Sequence, residues 1–239
     1  VSRIIALANA RNEARNIDRF CRSYQWADRI IIADCGCEDD TVQRAMCYEN
    51  VEVRPFQVRV HLPGATGWRT PQGKCLETLI GWASDYQPDF LVYEDVDCVP
   101  NGLLRNEARQ RIEAATRPVM LAQRIYLWGE DQWFPNLSTP WDHAQHTHWF
   151  PTLWAWRADW DLGPFDFIER EIHYRNLPEP EQCERFTPPL CTLHYTWPDI
   201  AEVQRKLDFL RHVSGEQPNA MHPLKFGGPL APLPDWAHI

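Results

Sequence analysis

The stretch Arg3 to Ala10 reads RIIALANA, an apolar run that predicts a buried strand. RNEARNIDRFCRSYQ follows, with Ala14, Ile17, Phe20, Cys21 and Tyr24 at the spacing of one helix face. ADRIIIADCG predicts a second strand that ends at Asp34 and a glycine. EDDTVQRAMCYE opens on acids and a threonine, as helix N-termini do, and VEVRPF is a third strand. The order β-α-β-α-β calls for a parallel sheet with crossover helices.

After a Gly/Pro-rich loop from His61 to Gly73, the pattern predicts a helix over KCLETLIGWASDY and a fourth strand over DFLVYEDVD. A helix over LLRNEARQRIEAA and a strand over PVMLAQRIYLW come next. GEDQWFPNLSTPWDHAQHTH is an irregular aromatic insert, WFPTLWAWR an edge or bulged strand, and IAEVQRKLDFLRHV a helix. No repeat and no linker interrupts this order, so residues 1–213 are read as one α/β domain. Residues 214–239 form a Pro-rich tail that packs on the domain or is partly mobile.

Composition narrows the function. The formal net charge of -9 disfavours a large non-specific nucleic-acid surface and tight binding to anionic lipid, while leaving room for a local basic groove. No apolar run reaches bilayer length. The eight cysteines lack zinc spacing and follow no signal peptide, so they read as free thiols of a cytoplasmic protein. Twelve tryptophans, clustered between Trp128 and Trp160, suit core packing first and platforms for sugars or bases second.

Ligands of open parallel sheets bind at the carboxyl ends of the strands. Here those ends carry Asn12 and Glu13, then Asp34, then Glu94, Asp95 and Asp97. If the fourth strand continues through Asp97, Asp95 and Asp97 point to one face. Paired carboxylates there suit a hard divalent cation that keeps oxygens of water and of a phosphate ligand in its shell.

At these residues the chain resembles family-two glycosyltransferases of the GT-A fold, which is Rossmann-like, with a mostly parallel sheet, flanking helices and an acceptor-side region. Asn12, Glu13, Trp26, Ala27, Asp28, Asp34, Gly36, Asp39 and Thr41 match the family's opening, with Cys37 where the family has serine. YEDVDC resembles its LDADE motif, and Lys74 the basic residue that precedes the helix before it. CTLHYTWPDIAEVQRKLDFL is similar to a late segment of the branch containing lipooligosaccharide-core glucosyltransferases. The matches span residues 3 to about 210, with the Trp-rich middle poorly matched.

The resemblance implies an inverting transfer of sugar from a nucleoside-diphosphate sugar to a hydroxyl acceptor, a glycan or glycolipid, with Mn2+ or Mg2+ neutralising the leaving diphosphate. It implies Asp97 as a direct metal ligand, Asp95 at the ribose or metal-bound water, and His194 as third ligand or diphosphate contact. Ala10, Asn12, Glu13, Asp34, Lys74 and Glu94 fall on the donor side, with Asp34 and Glu13 toward base or ribose and Lys74 toward phosphate. Asp39 is equally a helix-start acid that needs no ligand. The general base is sought in RADWDLGPFDFIEREIHYRN, with Glu171 first, then Glu169 and Asp166. His143, His146 and His148 invite zinc, but their spacing and lack of a supporting carboxylate favour an acceptor-side loop.

Three rivals have distinct signatures. A transferase acting on hydroxymethylated DNA bases shares the donor half, against which the net charge weighs. A nucleotide-sugar nucleotidyltransferase needs a Gly-rich basic phosphate signature where NARNEAR stands. A sugar-binding module binds glycan without nucleotide or metal.

Overall fold

A computed structural model describes residues 1–61, 65–134, 152–162, 182–214 and 230–237. Four strands form the parallel half of a central sheet: β1 (Ile4–Ala10), β2 (Arg29–Asp34), β3 (Val51–Pro55) and β6 (Phe90–Tyr93). They lie in the order β3-β2-β1-β6, and every neighbouring pair is parallel. A parallel sheet is what the alternating pattern predicts. Beyond β6 the sheet continues antiparallel through β10 (Thr152–Arg157) to β8 (Val119–Trp128).

Apolar runs without alternation form these strands because both sheet faces are covered. Ile4, Ala6, Ala8 and Ala10 of β1 share one core with Ile17 and Phe20 of α1 (Ile17–Ser23) and with Leu104, Ala108 and Ile112 of α4 (Gly102–Ala114). The intervening Ile5 and Leu7 join the opposite core, against Leu76, Leu79 and Ala83 of α3 (Gln72–Ser84). The period of two along β1 therefore divides one strand between two helical layers.

Three elements depart from the predicted pattern. The first helix begins only at Ile17, because Asn12 to Asn16 turn back at the end of β1. α2 (Thr41–Ala45) is little more than one turn. β6 stops at Tyr93 instead of running to Asp97. The Cys98 N–H donates to the Asp95 carbonyl at 2.8 Å and closes a turn, which overturns the expectation that Asp95 and Asp97 share a strand face.

The pattern also does not show β11 (Cys183–Trp197) as a strand. It runs parallel to β8 and antiparallel to β7 (Cys98–Pro100), with a register shift between Phe186 and Cys191, where Pro188 and Pro189 interrupt the ladder. β11 leads into α5 (Ile200–Ser214). A hairpin of β4 (Val60–His61) and β5 (Trp68–Arg69) stands apart from the main sheet. At the opposite edge, β12 (Ala231–Pro232) pairs with β9 (Gln132–Trp133), so part of the C-terminal tail is built into the sheet. All eight cysteines are free. No helix among the described residues is long and apolar enough to cross a membrane.

Candidate active site

The carboxyl ends of β1 and β2 are tied together by side chains. Asn12 adopts a left-handed conformation (φ 56°), which Asn tolerates better than most residues, and its Oδ1 accepts the Glu38 N–H at 2.8 Å. Thr41 Oγ1 accepts the Glu13 N–H at 2.7 Å, and Asp39 Oδ2 accepts the Ala14 N–H at 3.1 Å. Asp39 Oδ1 also accepts the Thr41 N–H at 3.1 Å, at the start of α2. Asp39 thus does the work of a helix-start acid and stitches two loops. Asp34 turns its Oδ1 onto the N–H groups of Gly36 and Cys37, at 3.0 and 2.8 Å, and shapes its own loop. The Ala10 carbonyl accepts the Cys35 N–H at 2.9 Å.

A cavity of about 500 Å³ opens beside these loops, lined by Asn12, Glu13, Asp39, Tyr195, Arg205 and Lys206 among others. Glu13 accepts from Asn16 Nδ2 at 2.8 Å. Burial and the nearby charge of Asp97 nevertheless push its carboxyl up to about 7, against the pull of Lys206, Asn16 and Arg205. The folded state therefore holds a proton that the unfolded chain, near 4.5, has released. Its contribution to stability is complete below about pH 4.5 and is lost as pH rises through about 7. Glu13→Gln mimics the protonated form, so it is expected to flatten this part of the profile and to gain stability relative to wild type above pH 7. Urea denaturation at pH 5 and 8 measures this, and an unchanged slope counts against it.

The three acids after β6 divide between two sets of partners. Glu94 is 1% exposed, and its Oε2 meets Arg124 Nη2 of β8 at 2.6 Å. Burial pushes its carboxyl up, opposed by the Arg124 charge. Asp95 lies 3.7 Å from the other arm of the same guanidinium. Asp97 has a different set of partners, with its Oδ2 3.1 Å from Lys206 Nζ of α5 and 3.3 Å from His194 Nε2 of β11.

Burial acts against the charged form of Asp97, but His194 and Lys206 outweigh it and hold the carboxyl well below the usual range. Burial also acts against charge on Lys206, yet Asp97 and Glu13 hold the ammonium in its charged form above its ordinary value. His194 goes the other way, since burial lowers it despite Asp97. At neutral pH the ion pair is therefore Asp97–Lys206, beside a neutral imidazole.

Asp97, Cys98 and His194 offer ligand atoms within 4.8 Å of one another. A carboxylate and an imidazole suit Mn2+, and the carboxylate suits Mg2+. The Cys98 thiol is pushed well up by burial and stays protonated, a poor donor to a hard cation. The donor set thus fits a divalent ion, with the Lys206 ammonium now against the same carboxylate oxygen.

The structure brings Asn12, Glu13, Asp97 and His194 of the sequence-predicted residues into one neighbourhood. Lys74 stands outside it, in the first turn of α3, where its ammonium meets Glu77 at 2.7 Å. Glu171, Glu169 and Asp166, and the histidines of WDHAQHTHW, lie outside the described residues. Sequence reasoning missed Arg124 and Lys206. A charged residue inside the apolar run PVMLAQRIYLW was the signal for the first, and the lysine within the late segment CTLHYTWPDIAEVQRKLDFL was the signal for the second.

With this geometry in place, comparison with solved structures defines the class of fold. S. aureus TarS shares the fold with a TM-score of 0.52 at 14% identity, over 90% of this chain and 41% of that one. TarS 1-349 gives 0.52 at 13% identity, over 90% and 67%, and TarS 1-349 in complex with UDP gives 0.50 at 14% identity, over 93% and 76%. The chain has the mixed α/β fold of GT-A glycosyltransferases, with a mostly parallel central sheet and flanking helices. It spans only 41–45% of the two TarS chains that head the comparison. No family model and no curated protein matches the chain.

Proposed function

We propose that this chain transfers a sugar from a nucleoside-diphosphate sugar to a hydroxyl acceptor, a glycan or glycolipid, with inversion and with Mn2+ or Mg2+ at Asp97. The observation that carries this reading is the Asp97–His194–Lys206 cluster at the strand ends, next to the cavity lined by Asn12, Glu13 and Lys206. The fold supports it, since TarS 1-349 binds UDP on the same architecture. The order of strand-end motifs, from Asn12 and Glu13 to His194, supports it as well.

A divalent ion bound there supplies positive charge to the departing diphosphate. Asp97 and His194 are the residues that would hold it. Glu13, close to Asp97 and titrating near neutrality, has the hydrogen-bonding versatility to meet a ribose hydroxyl. Asp95, held 3.7 Å from Arg124, is the carboxylate that accepts from ribose or a metal-bound water. Asn12, Asp34 and the Ala10 backbone shape the wall for the base, while Lys74, paired with Glu77 outside this neighbourhood, has no part in it. One carboxylate among Glu171, Glu169 and Asp166 takes the acceptor proton.

A thermal-shift screen of nucleoside diphosphates with Mn2+ tests the donor half. A ligand at a hundred times its Kd stabilises the fold by about 2.7 kcal/mol, a shift of roughly 5–11 °C in a chain this size. The expected result is such a shift with a nucleoside diphosphate and metal together. A shift with free glycan alone, and none with any nucleotide, returns the chain to the sugar-binding class.

A further inference from the structure

We infer that Lys206 is a displaceable counter-cation. It occupies the Asp97 carboxylate until a divalent ion arrives, and it then swings into the cavity to meet the donor diphosphate. This rests on the reading of Asp97 as the metal ligand and extends it to α5, for which that reading has no task.

The geometry forces an exchange. Lys206 Nζ and His194 Nε2 both address Oδ2 of Asp97, at 3.1 and 3.3 Å. A metal ion ligated by a carboxylate oxygen sits at about 2.0–2.6 Å from it. An ammonium still at 3.1 Å from that oxygen would crowd the ion with like charge, at a separation where repulsion is strong. One cation has to leave.

The two cations that meet the acids after β6 differ in their ability to do so. Arg124 is a rigid fork, 11% exposed, bound to both Glu94 and Asp95. Lys206 carries its charge on a flexible four-carbon stem, is 27% exposed, and lines the cavity as well as contacting Asp97. When it leaves Asp97, the open direction is the cavity, where Arg205 also stands. A diphosphate there receives two cationic side chains from one turn of α5. Glu13 and Glu202, which also line that cavity, already act on the Lys206 ammonium electrostatically. The exchange therefore strands no charge.

The test is a Mn2+ titration of the full chain, followed by electron paramagnetic resonance, with wild type, Lys206→Gln and Asp97→Asn. Removing the competitor is expected to tighten Mn2+ binding in Lys206→Gln by about tenfold or more, and to weaken UDP binding in the presence of Mn2+. Equal or weaker Mn2+ binding in Lys206→Gln, with binding lost in Asp97→Asn, overturns the exchange while leaving Asp97 as the metal ligand. Binding unchanged in Asp97→Asn, or absent from all three proteins, overturns the metal reading itself. A measurement on the unmutated sequence covers the case in which Lys206→Gln does not fold. The chain has only three lysines, Lys74, Lys206 and Lys225, so reductive 13C-methylation gives few signals to assign. The Lys206 resonance is expected to move on addition of Mg2+, and a signal that stays in place at saturating Mg2+ overturns the exchange.

Discussion

Asp97→Asn is expected to lower kcat for sugar transfer by on the order of 10²–10³-fold, the scale seen when one preorganised electrostatic contact to a developing charge is removed. The substitution keeps the shape of the side chain and removes its charge. A carboxamide cannot hold Lys206 as an ion pair or compete for a divalent cation. The physical basis is the depressed carboxyl of Asp97, which stays ionised in spite of burial because Lys206 and His194 face it. Initial rates at saturating donor, with circular dichroism as a control for folding, measure the effect. A fully active, folded Asp97→Asn protein moves the active site elsewhere. A rise in KM with unchanged kcat instead assigns Asp97 to donor binding alone.

Arg124→Met is the second large effect, and it falls on stability. The guanidinium neutralises Glu94, a carboxylate with 1% of its surface exposed, and lies against Asp95. Removing one partner of a buried ion pair typically costs about 3–5 kcal/mol, which for a chain of this size lowers Tm by roughly 6–20 °C. The pH dependence has a definite sign. Burial already raises the Glu94 carboxyl in the presence of Arg124, and without the arginine it rises further. Folded Glu94 then binds a proton that the unfolded chain has released, so stability is retained at low pH and lost as pH rises. The deficit of Arg124→Met is therefore expected to be smaller at pH 5 than at pH 8. Glu94→Met combined with Arg124→Met is expected to recover most of the loss, because no charge is then stranded. A single variant as stable as wild type removes Arg124 from this role.

Particular residues show how far the sequence could be read. Ile4 to Ala10 and Arg29 to Asp34 announce buried strands because a parallel sheet covered on both faces has no polar side to record. The strand Cys183–Trp197 was not legible, because its paired prolines and its register shift break the period on which such readings depend. The acids after Tyr93 were legible as a cluster but not as a geometry. The alternation of side chains holds only while the strand lasts, and the turn closed by Cys98 N–H and Asp95 C=O ends it.

The sequence by itself determined the alternation of strands and helices, the gathering of Asn12, Asp34 and Asp97 toward strand ends, and the acidic character of the segment after β6. These properties follow from local periodicity and from the rule that open parallel sheets place ligands at their carboxyl edge. Only the tertiary structure decided which cation each acid receives. Arg124 is 30 residues from Glu94, and Lys206 is 109 residues from Asp97. Over such separations no local spacing constrains two side chains. The pairing is set when folding brings β8 and α5 to the acids that follow β6, and with it the division between a fixed arginine and a lysine free to leave.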